Sequence, residues 1–477
     1  NDGAVAKAFA KFIASYVKGT PAISEDGKIT NLSNGYYLIQ DSSNPTLGSG
    51  TVDNSGAQTR FILAVLGQDT TVFTKNDAPS VVKKVQENTD VSDYVENKEF
   101  YKDYNDVADY CIGATVPFML EATLPSNFGD YSAYYLKFTD TLANGFVAPN
   151  ANNIKIYVDG VEATTSVYNV HKDIDGQEIT ITIEDVNALS ENVAAGSKIT
   201  VKYDAVLDTD ADVGLDGNEN KVKLEYSSNP NIEWKPKTDA PNGDEEETEE
   251  GTKPETPDVP DNPDTPDINE SEDNTGETPE DKVIVFTYEL DVTKYLGEIA
   301  EGKEAEVGQA GFKLYNASGQ AAIIDETTGR INGWVTEKAA VGEEGDADYV
   351  AAVSGYEFFT NADGLLNFIG LDDGTYTLKE TTTPGGYNTM SDLVIKVDAT
   401  TANGQSWTGV PSDALTDLEL KDADGKYLDG TANAGDNTDG KLAHSIVNKA
   451  GNTLPGTGGI GTTIFYLGGG AMAAIGG

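Results

Sequence analysis

Residues 238–281 read "TDAPNGDEEETEEGTKPETPDVPDNPDTPDINESEDNTGETPED", and a compact core cannot run through such a stretch. Proline recurs every few residues, acids dominate, and no apolar period survives. Ordering the segment would cost more conformational entropy than its few apolar side chains could offset by burial. The sequence therefore predicts an extended, self-repelling linker over 238–281, with separate folding units on either side. A length of 477 residues agrees with two to four domains.

Before the linker, "TVPFMLEATLP", "YYLKFTDTL", "NIKIYVDG", "EITITIED", "KITVKYDAVL" and "KVKLEYS" are short runs rich in Tyr, Ile, Val and Thr, separated by Asn, Asp and Gly. Many short strands with regular turn signals predict an all-β sandwich over 77–237. A second β-rich domain is expected over 282–449, from "VIVFTYELDVTKYL" to "KLAHSIVNK". Residues 1–76 read as the C-terminal part of an N-terminal domain. In that part Val5, Phe9, Phe12, Ile13 and Tyr16 fall at helical spacing, and "NGYYLIQD" and "TRFILAVLG" read as strands.

Composition narrows the function. A formal charge of −48 argues against nucleic acid and against an anionic membrane surface. One cysteine, Cys111, rules out an intrachain disulfide, and with two histidines and no hydrolase or P-loop motif an ordinary enzyme is not expected. No cofactor or metal is expected. The loop "DTDADVGLDGNE" sets Asp208, Asp210, Asp212 and Glu219 at calcium-loop spacing, but Val213 occupies the turn position that needs glycine, which favours a solvated loop.

The informative anomaly is a set of polar residues on apolar strand faces. Phe286, Tyr288, Leu290 and Val292 share a face that Lys294 continues. Tyr376 and Leu378 share one that Glu380 continues, and Leu442, His444 and Ile446 share one that Asn448 continues. Buried together, these groups do unusual chemistry. Desolvation favours a neutral amine and a protonated carboxyl, and contact between amine and amide supplies an effective molarity of about 10⁵ M or more. The expected product is a Lys–Asn isopeptide bond with loss of ammonia; the alternative is an ordinary buried ion pair.

"YTLKETTTPGGY" resembles the E-box of Gram-positive pilins, and "LPGTGG" at 454–459 resembles the sortase cell-wall sorting signal. The last domain resembles the B-type collagen-adhesin fold, an immunoglobulin-like sandwich, and the middle domain its A-type relative. The resemblance implies isopeptide bonds built from a first-strand lysine, an acid and a last-strand asparagine. These fall on Lys294, Glu380 and Asn448 in the last domain. In the middle domain strand parity puts Lys83 with Val81 and Val85, and Asp140 with Leu136, Phe138 and Leu142. The asparagine is assigned to Asn229, with Asn231 behind it, although Asn229 lies on the opposite parity from Val222, Leu224 and Tyr226. Lys84 is expected to be a solvated neighbour.

"VFTKNDAPSVVKK" occupies the place of the pilin motif, with Phe-Thr standing for Tyr-Pro, so the resemblance makes Lys75 the acceptor amine for the next subunit. A pilin-type (class C) sortase would cleave between Thr457 and Gly458 and pass Thr457 to Lys75. A housekeeping sortase would pass it to peptidoglycan precursor. The expected partners are identical subunits, these sortases and ancillary tip or base pilins, on an extracellular, wall-anchored pilus. The alternatives are a monomeric wall-anchored adhesin and an ancillary pilin. Residues 450–477 hold the sorting signal and an apolar tail shorter than a comfortable span.

Overall fold

The computed structural model describes chiefly residues 77–231 and 275–451, apart from short internal gaps, with 29–39, 62–66 and residues 9, 10, 12 and 13. Lys75, Thr457, Gly458 and most of the linker lie outside the described residues. The expected helix is seen at residues 9, 10, 12 and 13. The two N-terminal strands, Gly35–Ile39 and Ile62–Leu66, pair antiparallel.

The described residues are mostly β, as the periodicity predicts. The middle domain packs two seven-stranded sheets face to face. One is centred on Ser80–Gln86, Thr115–Thr123 and Lys198–Leu207, and the other on Glu178–Ile183, Leu136–Leu142 and Asn218–Ser227. Alternation along Leu136–Leu142 and along residues 218–226 aims one side chain in two at the shared core. That core includes Phe118, Leu120, Tyr134, Phe138 and Leu224, all fully buried.

The last domain sets a three-stranded sheet against a seven-stranded one. Its first strand, Tyr288–Leu296, lies between Leu365–Leu371 and the final strand Lys441–Asn448. The first and final strands run parallel, with Lys294 opposite Ile446 and Leu296 opposite Asn448. Gly374–Thr382, which carries the E-box-like segment, belongs to the opposing sheet.

The boundary between the domains differs from the sequence reading. Thr275–Glu277 and Asp281–Phe286, assigned above to the linker and the last domain, both pair with Asn218–Ser227 and complete the middle domain's second sheet. Asp281–Phe286 also runs parallel to Val107–Asp109. The reason is visible in "VIVF". Val283 and Val285 face the core of the middle domain, while Ile284 and Phe286 face that of the last domain. A strand buried on both faces has no polar alternation to announce it, so its apolar run reads as the start of the next unit. The chain then passes through Thr287 into Tyr288–Leu296 without a spacer.

Side chains and backbone close the seam between the two cores. Thr287 Oγ1 donates to Leu371 O at 3.1 Å, and Arg330 reaches Ala211 O at 2.5 Å. Gly440, at φ +71°, lies so near Gly214 that an added Cβ would come within 2.0 Å of its Cα, a close approach that only glycine permits. The two sandwiches share one strand, so they are expected to unfold together. Ile284→Ala should cost about 2–5 kcal/mol. Scanning calorimetry should show one downshifted transition; two separated transitions would contradict the shared strand.

Candidate isopeptide sites

In the last domain the expected residues meet. Lys294 is fully buried, at the end of a strand whose other inward side chains are Tyr288, Leu290 and Val292. Its Nζ donates to Asn448 Oδ1 and lies 3.5 Å from Glu380 Oε1. Asn448 Nδ2 donates to the same Glu380 oxygen at 2.7 Å, and the Met390 backbone N–H donates to Glu380 Oε2 at 2.7 Å. Phe312 closes the pocket, with its ring centroid 5.1 Å from Nζ. Burial pushes the Lys294 amine below its ordinary value, against the pull of Glu380. The three groups thus form one closed polar cluster in apolar surroundings, with the amine against the amide and the carboxyl against both.

The middle domain holds a second cluster. Lys83 Nζ, from the first sheet, crosses the core to Asp140 Oδ1 on the second sheet at 2.5 Å. Both side chains are completely buried. The Phe118 ring lies 5.2 Å from Nζ. Burial pushes the Lys83 amine down to about 8, and the charge of Asp140 only partly opposes that shift.

Asn229 does not belong to this cluster. Asp140 is opposite Val222, and Tyr226 is opposite Leu136, already about 13 Å further along the ladder. Asn229 lies past the end of that strand, where its Oδ1 accepts from the backbone N–H of Asn231. The amide in place is that of Asn220, fully buried on the inward face with Val222 and Leu224. Its Nδ2 donates to Tyr203 Oη at 2.9 Å, and Tyr203 in turn donates to Asp140 Oδ2. Lys83 Nζ lies 3.3 Å from the same hydroxyl. Strand parity, counted back from Val222, points both Asn220 and Asn218 inward; the contacts separate them, since Asn218 is held by Asp212 and the Val285 carbonyl and only Asn220 reaches Tyr203. No bulge brings Asn229 round to the inward face, because the ladder with Leu136–Leu142 runs in unbroken register from Asn220 to Tyr226.

Lys84 also differs from expectation. It is 6% exposed, pairs with Asp106 Oδ1 at 2.5 Å and lies 5.0 Å from the Tyr94 ring centroid. Two consecutive lysines are therefore buried on opposite faces of one strand, each against an aspartate. In the 208–219 loop, Glu219 pairs with Lys282 at 2.7 Å and the Asp212 backbone N–H donates to Asn218 Oδ1. A group that the sequence did not suggest lies at the seam, where Asp109, Asp372 and Asp373 converge. Burial raises all three carboxyls, and burial likewise raises neighbouring Glu87 to about 7.

Residues 298–409, part of the last sandwich, match the family described as SpaA, prealbumin-like fold domain. The matched segment includes Glu380 but neither Lys294 nor Asn448. No curated protein matches the chain. Among solved structures, it is similar to a group B streptococcus pilus 2b backbone protein at 21% identity, covering 73% of this chain and 97% of that one, with a TM-score of 0.42. It is also similar to the full-length major pilin RrgB of Streptococcus pneumoniae, at 15% identity over 88% and 84% of the two chains, with a TM-score of 0.46. A third likeness is to the Corynebacterium diphtheriae major pilin SpaA, at 14% identity over 89% and 83%, with a TM-score of 0.43.

The charge on Lys83 can be read from stability. Its folded value of about 8 lies below the ordinary 10.5, so between the two the unfolded chain binds more protons. Stability from this group therefore rises as pH climbs from about 8 to 10.5, by up to about 3 kcal/mol, and is lost again below that window. Urea unfolding of an Asn220→Ala chain, which keeps the lysine a free amine, should show this rise. Adding Lys83→Met should abolish it; parallel pH profiles would contradict the assignment.

Proposed function

We propose that the chain is the shaft subunit of a covalent surface pilus on a Gram-positive cell, with each sandwich locked by an internal Lys–Asn isopeptide bond. The observation that carries this reading is that each sandwich buries one lysine, one carboxyl and one asparagine amide in a single cluster. A lone buried ion pair would not need the amide. In the last domain Lys294 Nζ attacks Asn448 Cγ. The new Nζ–Cγ bond forms, the Cγ–Nδ2 bond breaks, and one proton passes from Nζ through Glu380 to the departing nitrogen, which leaves as ammonia. Asn448 Nδ2 already faces Glu380, the group that would protonate it. In the middle domain Lys83, Asp140 and Asn220 take the corresponding parts. This chemistry turns over once and acts only on its own chain, so the protein is not an enzyme in the usual sense.

Sequence motifs support the assembly step. A pilin sortase holds Thr457 as a thioester after cleaving before Gly458, and Lys75 of another subunit displaces it. The head-to-tail join uses different surfaces on the two subunits and builds an open filament. Transfer to peptidoglycan precursor by a housekeeping sortase ends growth and anchors the fibre outside the cell, with ancillary pilins at the tip or base.

Intact mass of the purified chain should fall short of the sequence value by two ammonia masses, and by one in Glu380→Ala or Asp140→Ala. A mass equal to the sequence value would reduce both clusters to ion pairs. In cells that express a pilin sortase, Lys75→Ala should abolish the high-molecular-weight ladder and leave wall-anchored monomer. A persisting ladder would contradict the role of Lys75.

A further inference from the structure

The two clusters differ in one respect. In the last domain the carboxyl touches the leaving amide nitrogen directly, with Glu380 Oε1 and Asn448 Nδ2 2.7 Å apart. In the middle domain the acid is an aspartate, one methylene shorter, and the Tyr203 hydroxyl stands between it and the amide. Tyr203 is buried, on Lys198–Leu207 of the first sheet, and stacked on Phe118 at 5.5 Å between ring centroids. Its Oη has three polar neighbours: Asp140 Oδ2, Asn220 Nδ2 at 2.9 Å and Lys83 Nζ at 3.3 Å. Every polar group needed for the reaction therefore converges on one hydroxyl.

We propose that Tyr203 is a catalytic residue of the middle-domain reaction, carrying the proton from Asp140 to the departing nitrogen of Asn220. The inference rests on the reading of Lys83, Asp140 and Asn220 as a bond-forming set. The step starts from the neutral amine, with the shared proton on Asp140 Oδ2. Lys83 Nζ bonds to Asn220 Cγ and gives a proton to Asp140 Oδ1. Asp140 Oδ2 gives its proton to Tyr203 Oη, and Oη gives its own to Nδ2. The Cγ–Nδ2 bond breaks and ammonia leaves, with tyrosine and carboxyl both restored to their starting charge. Burial pushes the phenol well above its ordinary value, so Tyr203 keeps a proton to relay and does not become a phenolate. Asn220 Oδ1 is buried without a hydrogen-bond partner among the described residues, which leaves Nδ2 as the atom through which the amide is held.

The test follows the mass of newly synthesised full chain over time, in wild type, Tyr203→Phe and Tyr203→Phe/Asp140→Glu. Phenylalanine keeps the stack on Phe118 and removes only the hydroxyl. Loss of the middle-domain ammonia should slow at least tenfold in Tyr203→Phe, while the last-domain ammonia is lost at the wild-type rate, which also reports that the chain has folded. The longer glutamate should restore much of the speed by reaching the amide directly, as Glu380 does. Closure of Tyr203→Phe at the wild-type rate would overturn the proposal, and so would failure of glutamate to restore it; either makes Tyr203 a packing residue. Should wild type itself lose no ammonia from the middle domain, the bond-forming reading falls instead, and the role of Tyr203 falls with it.

Discussion

A lysine ammonium in an apolar core must find a partner or lose its proton, and both sandwiches depend on how that constraint is met. Desolvating an isolated charge costs several kcal/mol even after relaxation. The chain places a carboxyl against each amine, Asp140 and Glu380 supplying the acid, with an amide directly against Lys294 and another across the Tyr203 hydroxyl from Lys83. A bare ion pair offsets desolvation only in part, which is why both amines remain below their ordinary value. The same strain makes a nucleophile of the amine. In the proposed product no ionic group remains on the lysine, so bond formation removes the cost that created the reactivity.

The two clusters place their links differently. Lys83 belongs to one sheet, and Asp140 and Asn220 to the other, so the proposed bond in the middle domain staples sheet to sheet through the core. In the last domain Lys294 and Asn448 sit on adjacent parallel strands, the first and final ones, while Glu380 approaches from the opposing sheet. A pull on the ends of that domain shears first strand against last, the contact the proposed bond would bridge. Between the domains no covalent link is needed. Asp281–Phe286 contributes Val283 and Val285 to one core and Ile284 and Phe286 to the other, so tension crosses the seam along a single extended strand.

Much of this was legible in the sequence, for identifiable reasons. Period-two alternation exposed the inward polar residues Lys294, Glu380 and Asn448, because a charged residue on an apolar face breaks a pattern that is otherwise regular. Lys83 and Asp140 were legible in the same way. Alternation failed where both faces are buried: "VIVF" carries no parity, and the domain boundary slid past it. It failed again at Lys84, whose outward face is covered by Tyr94 and paired with Asp106, contacts that tertiary packing supplies. Asn220 obeys parity, but so does Asn218, and only the contact with Tyr203 separates them. Tyr203 carried no signal at all, since an inward tyrosine on a strand reads as core until its hydroxyl is seen against Asp140 and Asn220.

The most direct test of the account is peptide mapping by tandem mass spectrometry of the digested chain. The account predicts two branched species, one joining the peptide of Lys83 to that of Asn220 and one joining the peptide of Lys294 to that of Asn448. Each should be lighter by one ammonia than the sum of its arms. Recovery of all four peptides unlinked, each at its sequence mass, would contradict it.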